Sequence, residues 1–205
     1  MYIPIEDART QLGHDPFKAI VAPRPIGWIS TVSAAGIVNL APYSFFNAVS
    51  ADPDMLMFSS AGEKDTLNNC RATGEFVCNL VSQPLLERMS QSSAAADAHI
   101  NEFELADLAS APSSRVAPPR VADTPAALEC VVVDVIRLTD RYGSATHSWM
   151  TIGEVVGLYI NPDYLTSDGR FDTAKAAAVA RCGYQDYQLG GELVELARPG
   201  PGPGR

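Results

Sequence analysis

The first half of this chain consists of short runs of β-branched and aromatic residues separated by turn signals. The run GWISTVS covers residues 27–33, IVNLAPYSFFNAVS covers residues 37–50, and MLMFSS covers residues 55–60. The turns come from AAG, which ends at Gly36, and from ADPD at residues 51–54. Short strands at this spacing predict a meander that closes into a barrel or a sandwich.

Two local signals refine this outline. Pro42 interrupts the second run and cannot donate a ladder hydrogen bond, so we expect the strand to bend there or to lie at a sheet edge. Beyond the third run, Asp65 is a candidate N-cap for a short helix over residues 66–72, and Gly74 is a natural residue to end that helix.

The second half alternates between apolar runs and less regular segments. We expect strands over residues 75–82, 128–138 and 149–160, a helical stretch over residues 83–91, and a helical turn within residues 172–184. Residues 92–125 are rich in Ala, Ser and Pro and form an excursion from the barrel, with an amphipathic segment around residues 100–108. No internal repeat is evident.

Composition limits the class of protein. A length of 205 residues suits one domain, which we place at residues 1–190, followed by a mostly disordered tail at residues 191–205. The formal net charge of −9 argues against a nucleic-acid partner, although it allows a local basic pocket for one phosphate. No apolar run approaches a membrane span, and the N-terminus lacks a signal-peptide pattern, so a cytoplasmic protein with no membrane contact is the expectation.

Cysteine and histidine usage indicates no metal site. The four cysteines, Cys70, Cys78, Cys130 and Cys182, show no CxxC spacing, and the three histidines are scattered. In a reducing compartment we expect these cysteines to be free, buried thiols. The chain also lacks GxGxxG after a strand, GxxxxGK[ST], GxSxG and HExxH, which argues against a Rossmann dehydrogenase, a P-loop nucleotidase and an α/β-hydrolase.

One polar segment is a candidate phosphate site. SSAGEKDT, at residues 59–66, leaves a strand, contains a glycine and a lysine, and opens a helix. Helix N-termini present unpaired N–H groups and positive dipole, so they attract anions. Ser59, Ser60, Lys64 and Thr66 could together hold one phosphate, while the alternative is a solvated loop before a capped helix.

The preceding segment, NLAPYSFFNAVSADPD, suits a flat ring. Its small residues, proline and hydroxyl groups lie beside aromatic side chains on a bent strand, so backbone groups can reach a polar ring edge while aromatic residues cover a face. The alternative is that Tyr43, Phe45 and Phe46 are barrel core. Alternation places Phe45 and Phe46 on opposite faces, so for at least one of them that alternative holds.

Several of these segments together resemble a known family. Residues 23–60, followed by KDTLNNCRATGEFVCNLV, are similar to the signature stretch of the flavin reductase-like, FMN-binding split-barrel family, in its flavoredoxin-like branch. The later IGEVVGLYI and RCGYQDY resemble that family's last barrel strand and its closing segment. The resemblance spans residues 20–190 and is most specific from Pro23 to Leu80.

The resemblance implies a mainly β fold with a few helices, a six-stranded Greek-key split barrel that forms a homodimer with FMN at or near the interface. It implies a ring site along the strand that contains residues 41–47, and a ribityl and phosphate site from segments near residues 28–31 and 59–69. Carried over residue by residue, the expected flavin-binding residues are Trp28, Thr31, Ala41, Pro42, Tyr43, Ser44, Asn47, Ser59, Ser60, Lys64, Thr66 and Asn69.

His147 is a further candidate, because reductases of this superfamily often carry a GDH-type turn before the last long strand. Here the turn reads GSATHSWMTIGEV and lacks the aspartate, and RCGYQDY departs from the family pattern at Cys182 and Gln185. The alternative for His147 is a side chain that caps a strand end.

The implied activity is NAD(P)H:flavin oxidoreductase chemistry, in which electrons pass to a second acceptor. That acceptor could be free flavin for a partner oxygenase, a ferric complex or another redox protein, and no side chain need act as acid or base. Three alternatives remain: an FMN-binding electron-transfer protein without its own NAD(P)H turnover, a relative that binds haem or a deazaflavin, and a non-enzymatic dimeric scaffold.

Overall fold

The computed structural model describes residues 1–97 and 99–197. The helices are α1 (Ile5–Leu12), α2 (Phe17–Ile20), α3 (Asp65–Thr73), α4 (Leu86–Gln91), α5 (Glu102–Leu105) and α6 (Thr173–Ala176), with 3₁₀ turns at Gln83–Leu85 and Pro162–Tyr164. The strands are β1 (Arg24–Pro25), β2 (Gly27–Val32), β3 (Val38–Tyr43), β4 (Phe46–Ala51), β5 (Asp54–Ala61), β6 (Glu75–Asn79), β7 (Ser110–Ala111), β8 (Arg120–Val121), β9 (Ala126–Thr139), β10 (Ala145–Ile160), β11 (Val179–Arg181) and β12 (Tyr187–Leu189).

The main sheet of the described residues is antiparallel and has seven strands, in the order β3-β2-β6-β9-β10-β5-β4. Its two edge strands, β3 and β4, are consecutive in the chain. The turn between them carries the carbonyl of Phe45, which accepts a hydrogen bond of 2.8 Å from the Ser59 N–H on β5. This bond continues the β4–β5 pairing, and the sheet curves round on itself because only Ser44 and Phe45 separate its two edge strands.

The number of strands differs from the expected six because the run over residues 37–50 is not one bent strand. It breaks at Ser44–Phe45, so that β3 pairs with β2 whereas β4 pairs with β5. Pro42 lies on β3, which is an edge strand, as its missing N–H requires. Phe45 is exposed whereas Phe46 packs against the core, as the alternation predicts.

Most of the other predicted elements are confirmed, with small shifts of their ends. The helix after β5 begins at Asp65, and its N-cap is Lys64 in an extended conformation, so the prediction of an Asp65 N-cap is wrong by one residue. The Asp65 carboxylate instead occupies the first turn, where the helix dipole favours negative charge. Gly74 ends α3 with a φ of 73°, as expected.

The two larger of the three apolar clusters in the described chain form the main core. One lies inside the curved sheet and includes Ile29, Phe58, Phe76 and Cys130, with the Phe58 ring centre 5.4 Å from that of Phe76. The other lies between the outer face of β2–β3 and the 83–108 segment, and is centred on Trp28. Both faces of β2 are thus buried, and the excursion over residues 92–125 covers one of them.

The cysteines are free, and three of them are buried as predicted. Burial raises the pKa of Cys70 and of Cys78 to about 12, and raises the pKa of Cys130 as well. Cys182 is only partly buried, so the expectation of a buried thiol is wrong there, because the segment that carries it lies on the surface of the barrel.

The C-terminal segment of the described chain, residues 191–197, carries no helix or strand. Residues 198–205 of the expected tail lie outside the described residues. Among the residues that are described, no helix is long and apolar enough to cross a membrane.

The packing of β10 on β6 gives a testable prediction. A Cβ added at Gly153 would lie 2.4 Å from Cε1 of Phe76, a fully buried ring. We expect Gly153→Ala to lower the free energy of unfolding by about 1–3 kcal/mol, because the core has no space for the methyl group. Gly191→Ala, the same substitution at an exposed position where the added Cβ meets nothing closer than Gln188 Nε2 at 3.4 Å, should change it by no more than about 0.5 kcal/mol. Urea unfolding measures both, and equal losses in the two variants would contradict the prediction.

Candidate functional site

A cleft of about 430 Å³ separates the outer end of β3 from the start of α3. Its walls are Asn39, Ala41, Pro42 and Tyr43 on the strand side and Glu63, Lys64, Asp65 and Thr66 on the helix side, and its rim is Ser92–Ala96 together with Glu102. We call this the strand–helix cleft. Two segments that the sequence marks separately, one for a ring and one for a phosphate, therefore face the same space.

A buried network of hydroxyl and amide groups sets the positions of the two walls. The amide nitrogen of Asn39 donates to Thr31 Oγ1 at 3.3 Å and to Thr66 Oγ1 at 2.9 Å, and the amide nitrogen of Asn69 donates to Thr31 Oγ1 at 3.0 Å. All four side chains are buried. The network ties β2, β3 and α3 together, so Thr31 and Asn69 lie behind the cleft wall whereas Thr66 lines the cleft.

Thr66 keeps a hydrogen-bond donor for a ligand. Its oxygen accepts from Asn39, and no donation by its hydroxyl meets hydrogen-bond geometry among the described residues, although the Tyr43 hydroxyl lies close by. A hydroxyl group carries one donor besides its acceptor lone pairs, so Thr66 can both belong to the network and donate into the cleft.

The Tyr43 hydroxyl also lacks a partner. Its oxygen is buried and makes no hydrogen bond within the described part of the chain. Burial raises the pKa of Tyr43, and the nearby hydroxyls of Thr66 and Ser60 lower it by a smaller amount. A buried polar atom without a partner costs about 1–3 kcal/mol, so this atom is suited to a ligand that can bond it.

Lys64 brings positive charge to the start of α3. Its side chain is exposed, and it forms no ion pair with the residues that the structure describes. The helix has no side-chain cap, so the first-turn N–H groups remain available beside this lysine. Glu63 is engaged elsewhere, 3.1 Å from Arg71. The arrangement suits a monoanionic or dianionic group at the helix N-terminus.

The two serines of β5 point to different places. Ser60 is buried, and its hydroxyl donates to the carbonyl of Gly62 at 3.0 Å, which fixes the loop that leads to α3. Ser59 pairs with Met150 on β10 and lines a second cleft, of about 680 Å³. Strand alternation separates them, so they do not act on one phosphate as a pair.

Two residues predicted for the ring and ribityl site and one predicted for the phosphate line that second cleft. Ser44, Asn47 and Ser59 line it together with apolar residues from α2, the β3–β4 turn and β10. Asn47 is exposed, and its side-chain oxygen accepts from the Ala48 N–H at 2.9 Å. Ser44 thus lies at the turn from β3 to β4, one residue beyond the Tyr43 wall of the strand–helix cleft.

Trp28 and His147 occupy supporting positions. Trp28 is fully buried, and its indole N–H donates to the Ser92 hydroxyl at 2.9 Å, so it contacts the cleft only through its rim. His147 lies within β10 rather than in the turn before it, because that strand begins at Ala145. Its carbonyl accepts from the Gly62 N–H at 2.7 Å, so it borders the loop that enters α3.

Most of the chain is similar to known proteins. Residues 21–175 match the family described as the flavin reductase like domain. The chain belongs to the flavin reductase-like family. An uncharacterised protein of Halalkalibacterium halodurans is 35% identical over 184 residues, which are 87% of each chain.

Two solved structures are similar over almost the whole chain. Nitrilotriacetate monooxygenase component B from Bacillus cereus has a TM-score of 0.86 and 27% identity, over 96% of this chain and 98% of its own. The 2-nitrobenzoate 2-nitroreductase of Pseudomonas fluorescens has a TM-score of 0.84 and 26% identity, over 100% of both chains. The fold is therefore the split barrel that the resemblance implied, with seven strands in its main sheet, and the chain is a flavin-linked oxidoreductase.

Asn39 and Glu102 are among the cleft residues that the sequence did not predict. Asn39 stands two positions before Ala41, so strand alternation alone places it on the same face as Ala41 and Tyr43, and that signal could have found it. Glu102 comes from the excursion, and nothing in the sequence links α5 to the start of α3. Its carboxylate accepts from the Leu40 N–H at 3.0 Å and is buried at the rim.

Glu102 gives a prediction on stability against pH. Burial raises its pKa above the ordinary value of 4.5, although the bond from Leu40 lowers it in part. The unfolded chain thus loses this proton at lower pH than the folded chain. Ionisation of Glu102 therefore lowers the free energy of unfolding as pH rises from about 4.5 through the raised pKa. We expect Glu102→Gln, which keeps an oxygen for the Leu40 N–H, to lose less stability than the parent chain between pH 4.5 and pH 7.

The control is Glu104→Gln, at an exposed position on the same helix. Urea unfolding at several pH values gives the free energy of unfolding of the three proteins. Parallel pH curves for Glu102→Gln and the parent chain would contradict the assignment.

Proposed function

We propose that this chain binds FMN and catalyses the transfer of a hydride from NADH or NADPH to the flavin, from which electrons pass to a second acceptor. The observation that carries the proposal is the strand–helix cleft, where Lys64 and Thr66 at a helix N-terminus and Tyr43 on the edge strand line one space. Family membership supports the flavin.

The phosphate end of the cofactor is assigned to the start of α3. Lys64 and the free N–H groups of the first turn attract the phosphate, and Thr66 donates a hydroxyl hydrogen bond. Three further candidates support the phosphate site without contacting the ligand. The polar atoms of Thr31, Asn69 and Ser60 already hold the two walls and the loop together. A lysine, backbone N–H groups and a hydroxyl are donors that suit a phosphomonoester.

The ring end is assigned to the β3–β4 turn. Ala41 and Pro42 give a small, flat wall, and the chain reverses beyond them at Ser44, where sheet pairing changes partner and leaves room for a ligand to reach the backbone. When bound, FMN supplies the hydride-accepting chemistry, and the protein supplies position and electrostatics. Asn47 and Ser59, which line the second cleft beyond Ser44, are proposed to border the ring, whereas Trp28 supports the rim and His147 the loop that enters α3.

The electron acceptor is proposed to be free flavin for a partner oxygenase, a ferric complex or another redox protein. The first of these is favoured by the similarity to nitrilotriacetate monooxygenase component B, whose description makes it one part of an oxygenase system. No described side chain is needed as an acid or a base for hydride transfer, and none is assigned as one.

We also propose that the active form is a homodimer. Apolar side chains are exposed along one stretch of the sheet, at Val131, Val133 and Ile136 on β9 and at Val156 and Leu158 on β10. Apolar groups that recur on neighbouring strands are typical of an interface. A dimer formed through this stretch would cover the face of the barrel that its own helices leave open.

Spectroscopy of the purified chain tests the function. We expect flavin absorption bands in the isolated protein or after FMN titration, and bleaching of those bands within seconds of mixing with NADH or NADPH in a stopped-flow instrument. Retained FMN without bleaching by either nucleotide would favour the electron-transfer alternative. A protein that takes up no FMN would contradict the proposal, whether it binds haem, a deazaflavin or nothing.

Lys64 gives a quantitative prediction. We expect Lys64→Ala to weaken FMN affinity by one to two orders of magnitude, since a charge-assisted contact contributes about 1.5–3 kcal/mol and every 1.4 kcal/mol is tenfold. Lys175→Ala is the matched control, because that lysine is exposed on α6 and lies outside the strand–helix cleft. Fluorescence titration measures both, and unchanged affinity in Lys64→Ala would remove this lysine from the phosphate site.

A further inference from the structure

A separate cleft of about 260 Å³ lies beside the strand–helix cleft and shares Pro42 and Ser93 with it. Its lining includes three cations, Lys18, Arg24 and Arg181, and no aspartate or glutamate. We call it the basic cleft. Such a cluster is unexpected in a chain whose formal net charge is −9, since acidic side chains outnumber basic ones.

Arg24 shows that this positive charge is not balanced within the described chain. The residue is only 6% exposed, and its guanidinium donates to the carbonyls of Lys18, Val21 and Cys182, while Nε has no partner among the described residues. Carbonyl groups satisfy N–H donors, but they do not neutralise the charge. Burying a cation without an anion is costly, so the site is arranged for an anion that arrives from outside.

The other two cations are held at the cleft with donors to spare. Arg181 donates one bond to the carbonyl of Tyr184 and stacks on Tyr187, with 4.5 Å from the guanidinium carbon to the ring centre. Lys18 is exposed on α2 and forms no ion pair with a described residue. Arg24 fixes the segments of both, because its carbonyl partners include Lys18 itself and Cys182, the neighbour of Arg181.

The position of the basic cleft relates it to the proposed flavin ring site. Pro42 and Ser44, which border the ring in the proposed function, also line this cleft. The phosphate of FMN is assigned to the far side of the strand–helix cleft, at Lys64, so the cations of the basic cleft remain for another molecule.

We propose that the basic cleft binds an oxyanion group, a phosphate or a carboxylate, of the small molecule that exchanges electrons with the flavin. The proposal rests on the proposed function, in that the flavin ring lies at Pro42 and Ser44. Lys18 and Arg181 contact the oxyanion, and Arg24 acts as a positioning residue that also contributes charge. If the molecule is the hydride donor, NADH or NADPH, its phosphates would bind in the basic cleft. If it is an aromatic electron acceptor, its carboxylate would bind there.

Binding of an anion can be measured without flavin chemistry. Inorganic pyrophosphate is titrated calorimetrically into the full chain, and the alkylation rate of Cys182, which lines the same cleft, is followed by mass spectrometry. We expect pyrophosphate to bind and to slow alkylation of Cys182. Lys18→Gln should weaken binding about twofold to fivefold, the range for one exposed charge, and Lys18→Gln with Arg181→Gln about tenfold or more.

Lys175→Gln is the control, because it removes the same charge outside the cleft. Absence of pyrophosphate binding, or equal affinity in the parent chain and the double variant, overturns the proposal. Lys18→Gln alone changes an exposed side chain, so a folded protein is available for comparison even if the double variant does not fold.

Kinetics of the FMN-loaded protein then identify the source of the oxyanion. A raised KM for NADH or NADPH in Lys18→Gln, with unchanged kcat, assigns the cleft to the donor's phosphates. An unchanged donor KM with a raised KM for a carboxylated quinone, but not for its amide, assigns it to the acceptor. If neither KM changes, the substrate role is overturned. Loss of FMN binding in the parent chain would contradict the proposed function alone, since the pyrophosphate and alkylation measurements do not require flavin.

Discussion

The hydrogen bonds that converge on Thr31 and Thr66 hold the candidate site together. They join an interior strand, an edge strand and the helix that crosses the end of the barrel, and every atom involved is buried. Buried polar groups stabilise a structure only when they are paired, and losing one partner leaves the others unsatisfied at about 1–3 kcal/mol each. The relative position of β3 and α3, and with it the shape of the cleft, therefore depends on the amides of Asn39 and Asn69.

The break at Ser44–Phe45 has two consequences for the same few residues. Pro42 cannot continue a ladder on its outer side, so β3 is an edge, and the chain turns to give β4 a different partner. The turn is only two residues long, so it brings one end of the two edge strands together, and its Phe45 carbonyl accepts from the Ser59 N–H. It also exposes backbone beside small side chains, which a flat ligand needs. Closure of the barrel and access to the ring site are thus products of one local irregularity.

The sequence predicts the elements well and their meeting points less well. Runs of β-branched residues and the glycine at position 74 locate β2, β5, β6 and α3 to within a few residues, because these signals are local. The strand break at Ser44 was missed because Pro42 explained the irregularity equally well as a bend. The sequence predicts both Thr31 and Thr66 as ligand contacts. In the structure both belong to the buried network, and only Thr66 also lines the cleft.

What the sequence could not predict depends on long-range contacts. Glu102 reaches the cleft from an excursion whose composition gives no clear period, and the Leu40 N–H that holds it is 62 positions away. Arg24 and Arg181 meet because β1, a strand of two residues that no pattern would reveal, pairs with β11. Family resemblance covers both segments, but it says nothing of the charge that their pairing brings together.

Net charge and local charge act over different distances in this molecule. A chain with an excess of acidic groups repels anionic substrates at long range, yet salt screens that repulsion beyond about 8–10 Å. Several surface cations are cancelled locally, as Arg170 is by Asp168 at 3.0 Å. Neither Lys18 in the basic cleft nor Lys64 in the strand–helix cleft forms an ion pair with a described residue, although Glu63 and Asp65 flank Lys64, so each can bond a ligand at close range, where screening is weakest. The proposed FMN phosphate at Lys64 and the proposed second anion at Lys18 are therefore each held by a separate nearby cation, although the chain as a whole is acidic.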